Sequence, residues 1–94
     1  MQIVRTYSAG VFAVSGIDNR SKDGKRGTLR NARRLWYWSG AASLSELASR
    51  GTSNPSGCKF PATVDWIDVT EIIEVLPVST QAEASINSVS IWSV

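Results

Sequence analysis

Histidine is missing from the chain altogether, and only one cysteine, Cys58, is present. The first absence removes the commonest general base and the commonest transition-metal ligand. The second leaves no partner for an intrachain disulfide, so a reducing, intracellular setting is expected. Apolar runs are short. None approaches the roughly 20 residues that cross a bilayer, and no signal-peptide pattern is visible, so no membrane association is expected. Charge of one sign is also missing by region. Residues 60–94 contain five acids and no Lys or Arg, whereas residues 1–59 hold all ten basic residues against Asp18, Asp23 and Glu46, a net −5 facing a net +7. Such a split suits an anion-binding face, attraction between copies, or two portions paired inside one fold.

These absences bear on catalysis. A serine nucleophile lacks its base, and Lys59 is a thin substitute beside Cys58. Gly24, Gly27, Gly40 and Gly57 sit in unrelated turns without the strand–glycine–helix setting that cradles phosphate. Asp65, Asp68, Glu71 and Glu74 recur every third residue, a helical spacing. The surrounding Val64, Trp66, Ile67, Val69, Ile72 and Ile73 favour strand, which divides those acids between two faces. Metal ligation would rest on carboxylates alone. The sequence therefore predicts a non-enzyme with no catalytic residue, no metal site and no cofactor.

What the chain does have is Asn31-Ala32-Arg33-Arg34-Leu35-Trp36-Tyr37-Trp38-Ser39-Gly40. As a strand, it puts Arg34, Trp36 and Trp38 on one face and Arg33, Leu35 and Tyr37 on the other. One face must feed a core, which leaves the other holding aromatic and cationic surface. That surface suits planar or anionic ligands, because indoles stack and guanidinium groups pair with phosphate or carboxylate. The same run would serve equally as a core strand with a cationic rim. The candidate ligand-binding residues are Arg33 or Arg34 for phosphate, Trp36, Trp38 or Tyr7 for base stacking, and Arg5 as a supporting cation, with residues 52–60 as a candidate lid.

Ninety-four residues predict one domain, 1–94, with a modest core that assembly would supplement, so a homo-oligomer is expected. Residues 2–14 read as a first strand with a bulge or bend at Gly10. Residues 15–27 form a basic hairpin connection turning at Asp23-Gly24, and residues 28–38 a second strand. Ser43-Leu44-Ser45-Glu46 fits a capping box and Gly51 a left-handed cap, which predicts a short helix over 44–50. After a loop at 51–61, residues 62–78 return to strand, broken near Asp68 to Glu71. Thr80-Gln81-Ala82-Glu83 is a second capping-box match opening a small helix. Residues 90–94 alternate like a strand that pairs at a sheet edge. The predicted fold class is α+β: a small antiparallel sheet, or a curled sheet or partial barrel, with two short helices.

Arg5-Thr6-Tyr7-Ser8-Ala9-Gly10-Val11-Phe12-Ala13, the Asn31–Trp38 run, Ser43-Leu44-Ser45-Glu46-Leu47-Ala48 and Thr70-Glu71-Ile72-Ile73-Glu74-Val75-Leu76-Pro77 also carry a resemblance. Together they resemble a family of short, uncharacterised proteins encoded mainly by tailed bacteriophages, a domain of unknown function. The basic loop at 18–27 and Val14 depart from the family pattern. The resemblance implies a viral source and action in the cytoplasm of an infected bacterium, and it brings no activity. Two classes of function follow from the residues. One is a binding module that captures a small anionic nucleotide, such as a host defence signal, on the Arg/Trp/Tyr surface. The other is a virion accessory subunit, or an inhibitor docked on a host protein. Non-specific single-stranded nucleic-acid binding ranks third, because the acidic third of the chain repels a polyanion.

Overall fold

The computed structural model describes residues 1–94. In chain order the elements are β1 (Gln2–Thr6), β2 (Val11–Val14), β3 (Gly16–Asp18), β4 (Gly27–Arg34), α1 (Leu44–Arg50), β5 (Val64–Val69), β6 (Ile72–Pro77) and α2 (Thr80–Ser88). A single 3-10 turn lies at Pro55–Gly57. Every strand pair is antiparallel: β6 pairs β1, β1 pairs β2, and β2 and β3 pair successive parts of β4, whose other side pairs β5. Thr70 and Glu71 join β5 to β6, yet these two strands do not pair. The sheet curls into a half-barrel open along that seam.

Register decides which side each residue takes, because residues directly opposite one another share a face. Leu76, Ile3, Ala13 and Arg33 form one row across the sheet; Val75, Val4, Phe12 and Arg34 form the next row on the other face. The first row lies under the helices, where Ile3 and Ala13 pack with Leu35, Leu47, Phe60 and Ile86. In the second row, Val4 and Phe12 pack inside the curl with Val14, Leu29, Ala32, Val69 and Ile72. With both faces of β1 and β2 covered, Ile3-Val4 and Phe12-Ala13-Val14 are consecutive buried residues. That is why residues 2–14 lack a clean alternation.

The curl turns on a corner at Ser15 and Asn31. Asn31 takes a φ of 47°, a left-handed conformation that asparagine tolerates better than most residues. Its Nδ2 donates to Ser15 Oγ at 2.9 Å, and the Ser15 N–H donates to the Arg30 carbonyl at 2.9 Å. The inward positions change parity across this corner, so Leu29 and Ala32 both reach the inner cluster.

The expected first strand is a hairpin, with Gly10 (φ 105°) completing a full reversal of the chain. Buried Thr6 closes that turn: its hydroxyl donates to the Gly10 carbonyl at 2.8 Å and accepts from the Ala9 N–H at 3.0 Å. β3 lies within the segment expected to be pure connection, and β4 stops at Arg34, short of the expected Trp38. α1 occupies the expected residues. Ser43 Oγ accepts from the Glu46 N–H at 3.1 Å, although the Glu46 carboxylate returns its bond to Ala42. Gly51 (φ 82°) ends this helix against α2, where any Cβ would collide with Ser85. α2 is capped by Ser79 instead of Thr80: Ser79 Oγ accepts from the Ala82 N–H at 3.0 Å, and Glu83 turns to the Met1 amino group at 3.1 Å. Residues 62–78 divide at Thr70-Glu71, inside the expected break. The expected terminal strand reduces to one parallel bridge, Ile91 to Phe60. No helix is long and apolar enough to cross a membrane.

Candidate functional site

The two arginines of the Asn31–Trp38 run separate at the end of β4. Arg33 stands opposite Ala13, whose small side chain leaves room for a guanidinium beneath α2. Arg33 is 8% exposed and lies 5.5 Å from the Phe60 ring centroid. Its Nε donates to the Pro61 carbonyl at 3.1 Å, and Nη1 to the Ile86 carbonyl at 3.2 Å. Nη2 donates to the Phe60 and Val89 carbonyls at 3.1 and 2.8 Å. Ile86 and Val89 lie at the carboxy end of α2, where the helix dipole favours a cation. Desolvation pushes the Arg33 pKa below its usual value, although arginine stays protonated in proteins. Four converging carbonyls thus stand where a carboxylate partner would be. A groove of about 560 Å³ adjoins Arg33, lined also by Ser15, Asn31, Glu83 and Asn87. In that groove the Glu83 carboxylate pairs with the Met1 amino group, and the Arg33 donors already engage carbonyls.

Arg34 emerges on the other face. Its guanidinium lies 4.7 Å from the Phe12 ring centroid and pairs with no carboxylate. It borders a second groove of about 590 Å³, between the Ser8–Val11 turn and the Arg34–Trp38 run, that Trp36 and Trp38 also line. Past Arg34 the chain leaves the ladder and makes a bridge with Lys59, whose N–H donates to the Tyr37 carbonyl at 2.8 Å. Phe60 points into the core, while Lys59 is exposed. The Lys59 ammonium lies 5.4 Å from the Trp36 ring, 5.8 Å from Trp92 and 5.7 Å from Tyr37, all within cation–π range. Trp36 is 59% exposed and stacks on Trp92 with ring centroids 5.1 Å apart and planes within 14°. The Trp92 N–H donates to the Phe60 carbonyl at 3.0 Å. Residues 36, 59 and 92 therefore meet because three short segments lie side by side.

A family model spans residues 1–86 of the chain. The chain belongs to DUF6948, a domain of unknown function. No curated protein and no solved structure matches it. The DUF6948 match includes Arg34, Trp36, Trp38 and Lys59, whereas Trp92 lies beyond it.

Of the six residues singled out in this DUF6948 chain by sequence, Arg34, Trp36 and Trp38 come together along one groove. Trp38 is half-buried against the helix-side core. Arg33 is held on the opposite face. Arg5, opposite Val11 and Glu74, shares the face of Arg33 and forms an ion pair with Glu74 at 2.6 Å. It is therefore no neighbour of Arg34. Tyr7 sits in the β1–β2 turn, 77% exposed, outside the residues lining either groove. The expected lid at 52–60 is tied down: the Thr52 N–H donates to Ser85 Oγ at 2.9 Å, and Cys58 and Phe60 are core residues. Lys59 and Trp92 are not among the six residues that the sequence singles out; Lys59 lies in the segment expected as a lid, and Trp92 in the stretch expected as a terminal strand. No group of three or more His, Cys, Asp or Glu in the DUF6948 fold is placed to hold a metal ion.

Proposed function

We propose that this chain is a non-catalytic binding module that captures a small planar anion of nucleotide type on the surface of Arg34, Trp36, Trp38 and Lys59. One observation carries the reading: the exposed indole of Trp36 lies 5.4 Å from the Lys59 ammonium and lines one groove with Arg34, and neither cation is paired with a carboxylate. A ligand joining a π-face to phosphate would cover the indole and supply the missing charge to Arg34 and Lys59 together. The resemblance to bacteriophage proteins supplies a setting, sequestration of a host nucleotide signal in an infected bacterium, with several copies assembled as an oligomer. Native mass spectrometry of gently purified protein tests this. A discrete adduct, absent from Arg34→Ala and Trp36→Ala proteins that still fold, is the expected result. Bare protein from cells that make such nucleotides, together with no binding in vitro, would sink it.

A second reading rests on a different surface. Val64 and Trp66 are exposed on β5, with Ile73 exposed on β6, and the outer edge of β5 pairs with no strand. An unpaired edge carrying apolar side chains suits a protein contact, either in a virion or on a host protein. Trp66→Ser should then abolish that association and leave nucleotide capture intact.

A further inference from the structure

We infer that the stacked Trp36–Trp92 pair is a clamp that opens to admit a purine-type base between its two indoles, with Lys59 placed for the phosphate. The inference rests on the proposed capture function and adds its ligand class and its moving part. The two rings are stacked, with centroids 5.1 Å apart and planes 14° from parallel, and they belong to segments far apart in the chain. Trp36 lies two residues past the end of β4, and its neighbour Leu35 is core. Trp92 follows α2, and its own backbone tie is the bond to Phe60. Trp92 can therefore swing away without breaking any strand ladder of the sheet.

A two-ring base presents a face the size of an indole. Inserted between the tryptophans, it gives each ring a new stacking partner in place of the one lost. A single small ring covers less of each face, and an anion without a ring covers none. Lys59 is the charged group within cation–π range of both indoles, and no carboxylate pairs with it. A phosphate beside the inserted base would meet that ammonium. If the base instead stacked on the groove side of Trp36 next to Arg34, the indole pair would stay closed, and this difference is measurable.

Two stacked indoles give an exciton couplet in circular dichroism, which reports whether the pair is open. The full chain is titrated with ADP, GDP, cyclic di-AMP, cyclic di-GMP and inorganic pyrophosphate, with calorimetry for affinity. At least one nucleotide is expected to remove the couplet, and pyrophosphate to leave it. Trp92→Leu should weaken that nucleotide about tenfold or more without changing pyrophosphate binding. Trp92→Phe, which keeps a ring in place, should weaken it less. A nucleotide that binds in an Arg34-dependent way, with the couplet intact and Trp92→Leu neutral, overturns the clamp and leaves the Arg34 surface standing. Pyrophosphate binding as tightly as every nucleotide overturns the clamp and base recognition together. No binding by any probe overturns both readings.

Discussion

Arg33 and Arg34 are adjacent in the chain, and the register of β4 against β2 sends them to opposite faces of the sheet. Arg33 joins the row of Ile3 and Ala13, loses its water and donates hydrogen bonds to four carbonyls instead. Arg34 joins the row of Val4 and Phe12 at the rim of the curl, keeps its water and lies over one aromatic ring. The same side chain thus braces the fold at one position and remains free for a ligand at the next. Residue type alone does not separate these roles; the number of acceptors already claimed does.

The most severe test of that contrast is Arg33→Ala. It strands carbonyls of Phe60, Ile86 and Val89 in a buried setting, at about 1–3 kcal/mol for each group that water cannot reach. Chemical denaturation should show a loss of about 3 kcal/mol or more, from three carbonyls that lose the guanidinium donor. Arg33→Lys should recover only part, since an ammonium has three donors and no planar fork. If Arg34→Ala proves as damaging as Arg33→Ala, the division between brace and free cation is wrong.

A smaller effect comes from the corner that brings the two rows around the curl. Asn31→Ala places an ordinary side chain at a φ of 47° and removes the bond to Ser15. The expected loss is about 1–2 kcal/mol. Asn31→Gly restores the backbone freedom without the hydrogen bond and should fall between Asn31→Ala and the parent. Equal melting temperatures for all three would mean that the corner does not depend on Asn31.

How much of this is legible in the sequence follows from the range of the forces involved. α1 was readable because Ser43 and Gly51 act within one turn of the helix they bound. The split of residues 62–78 was readable because polar residues interrupt an apolar run. Alternation correctly separated Arg33 and Leu35 from Arg34 and Trp36, but it is symmetric and does not say which face is buried. It failed at Tyr37 because the strand had already left its ladder, which depends on Lys59. The aromatic cluster escaped for the same reason: Trp36, Lys59 and Trp92 meet only through tertiary bridges. The two portions of opposite charge were readable as a pattern and not as contacts, since Arg5–Glu74 is the side-chain ion pair that joins them.

Arg34→Ala sharpens the comparison from the other side. Stability should change by no more than about 0.5–1 kcal/mol, the value of an exposed cation–π contact or an ordinary surface substitution. Capture of the nucleotide adduct should nevertheless be lost. Combining it with Arg33→Lys should give stability losses that simply add if the two arginines act on separate faces. Coupling larger than about 0.5 kcal/mol would show that brace and ligand surface communicate through β4.

The smallest effect concerns pH. Arg33 keeps its charge across the ordinary range, so acid sensitivity must come from carboxylates. Asp23, at the tip of the basic hairpin between β3 and β4, has its pKa lowered, first by the Ser21 hydroxyl and then by the Lys25 N–H. A carboxylate held below its unfolded value contributes stability that is present above the ordinary aspartate range and is lost as pH falls through the lowered value. Asp23 is fully exposed, so the contribution is slight and local. Amide exchange in the 21–26 tip should speed up on acidification ahead of the rest of the sheet, while the bonds around Arg33 stay protected. Asp23→Asn should remove the pH dependence at the tip. If protection near Arg33 falls at the same pH as at the tip, the brace depends on a titrating group, and its description as carbonyls around a permanent cation fails.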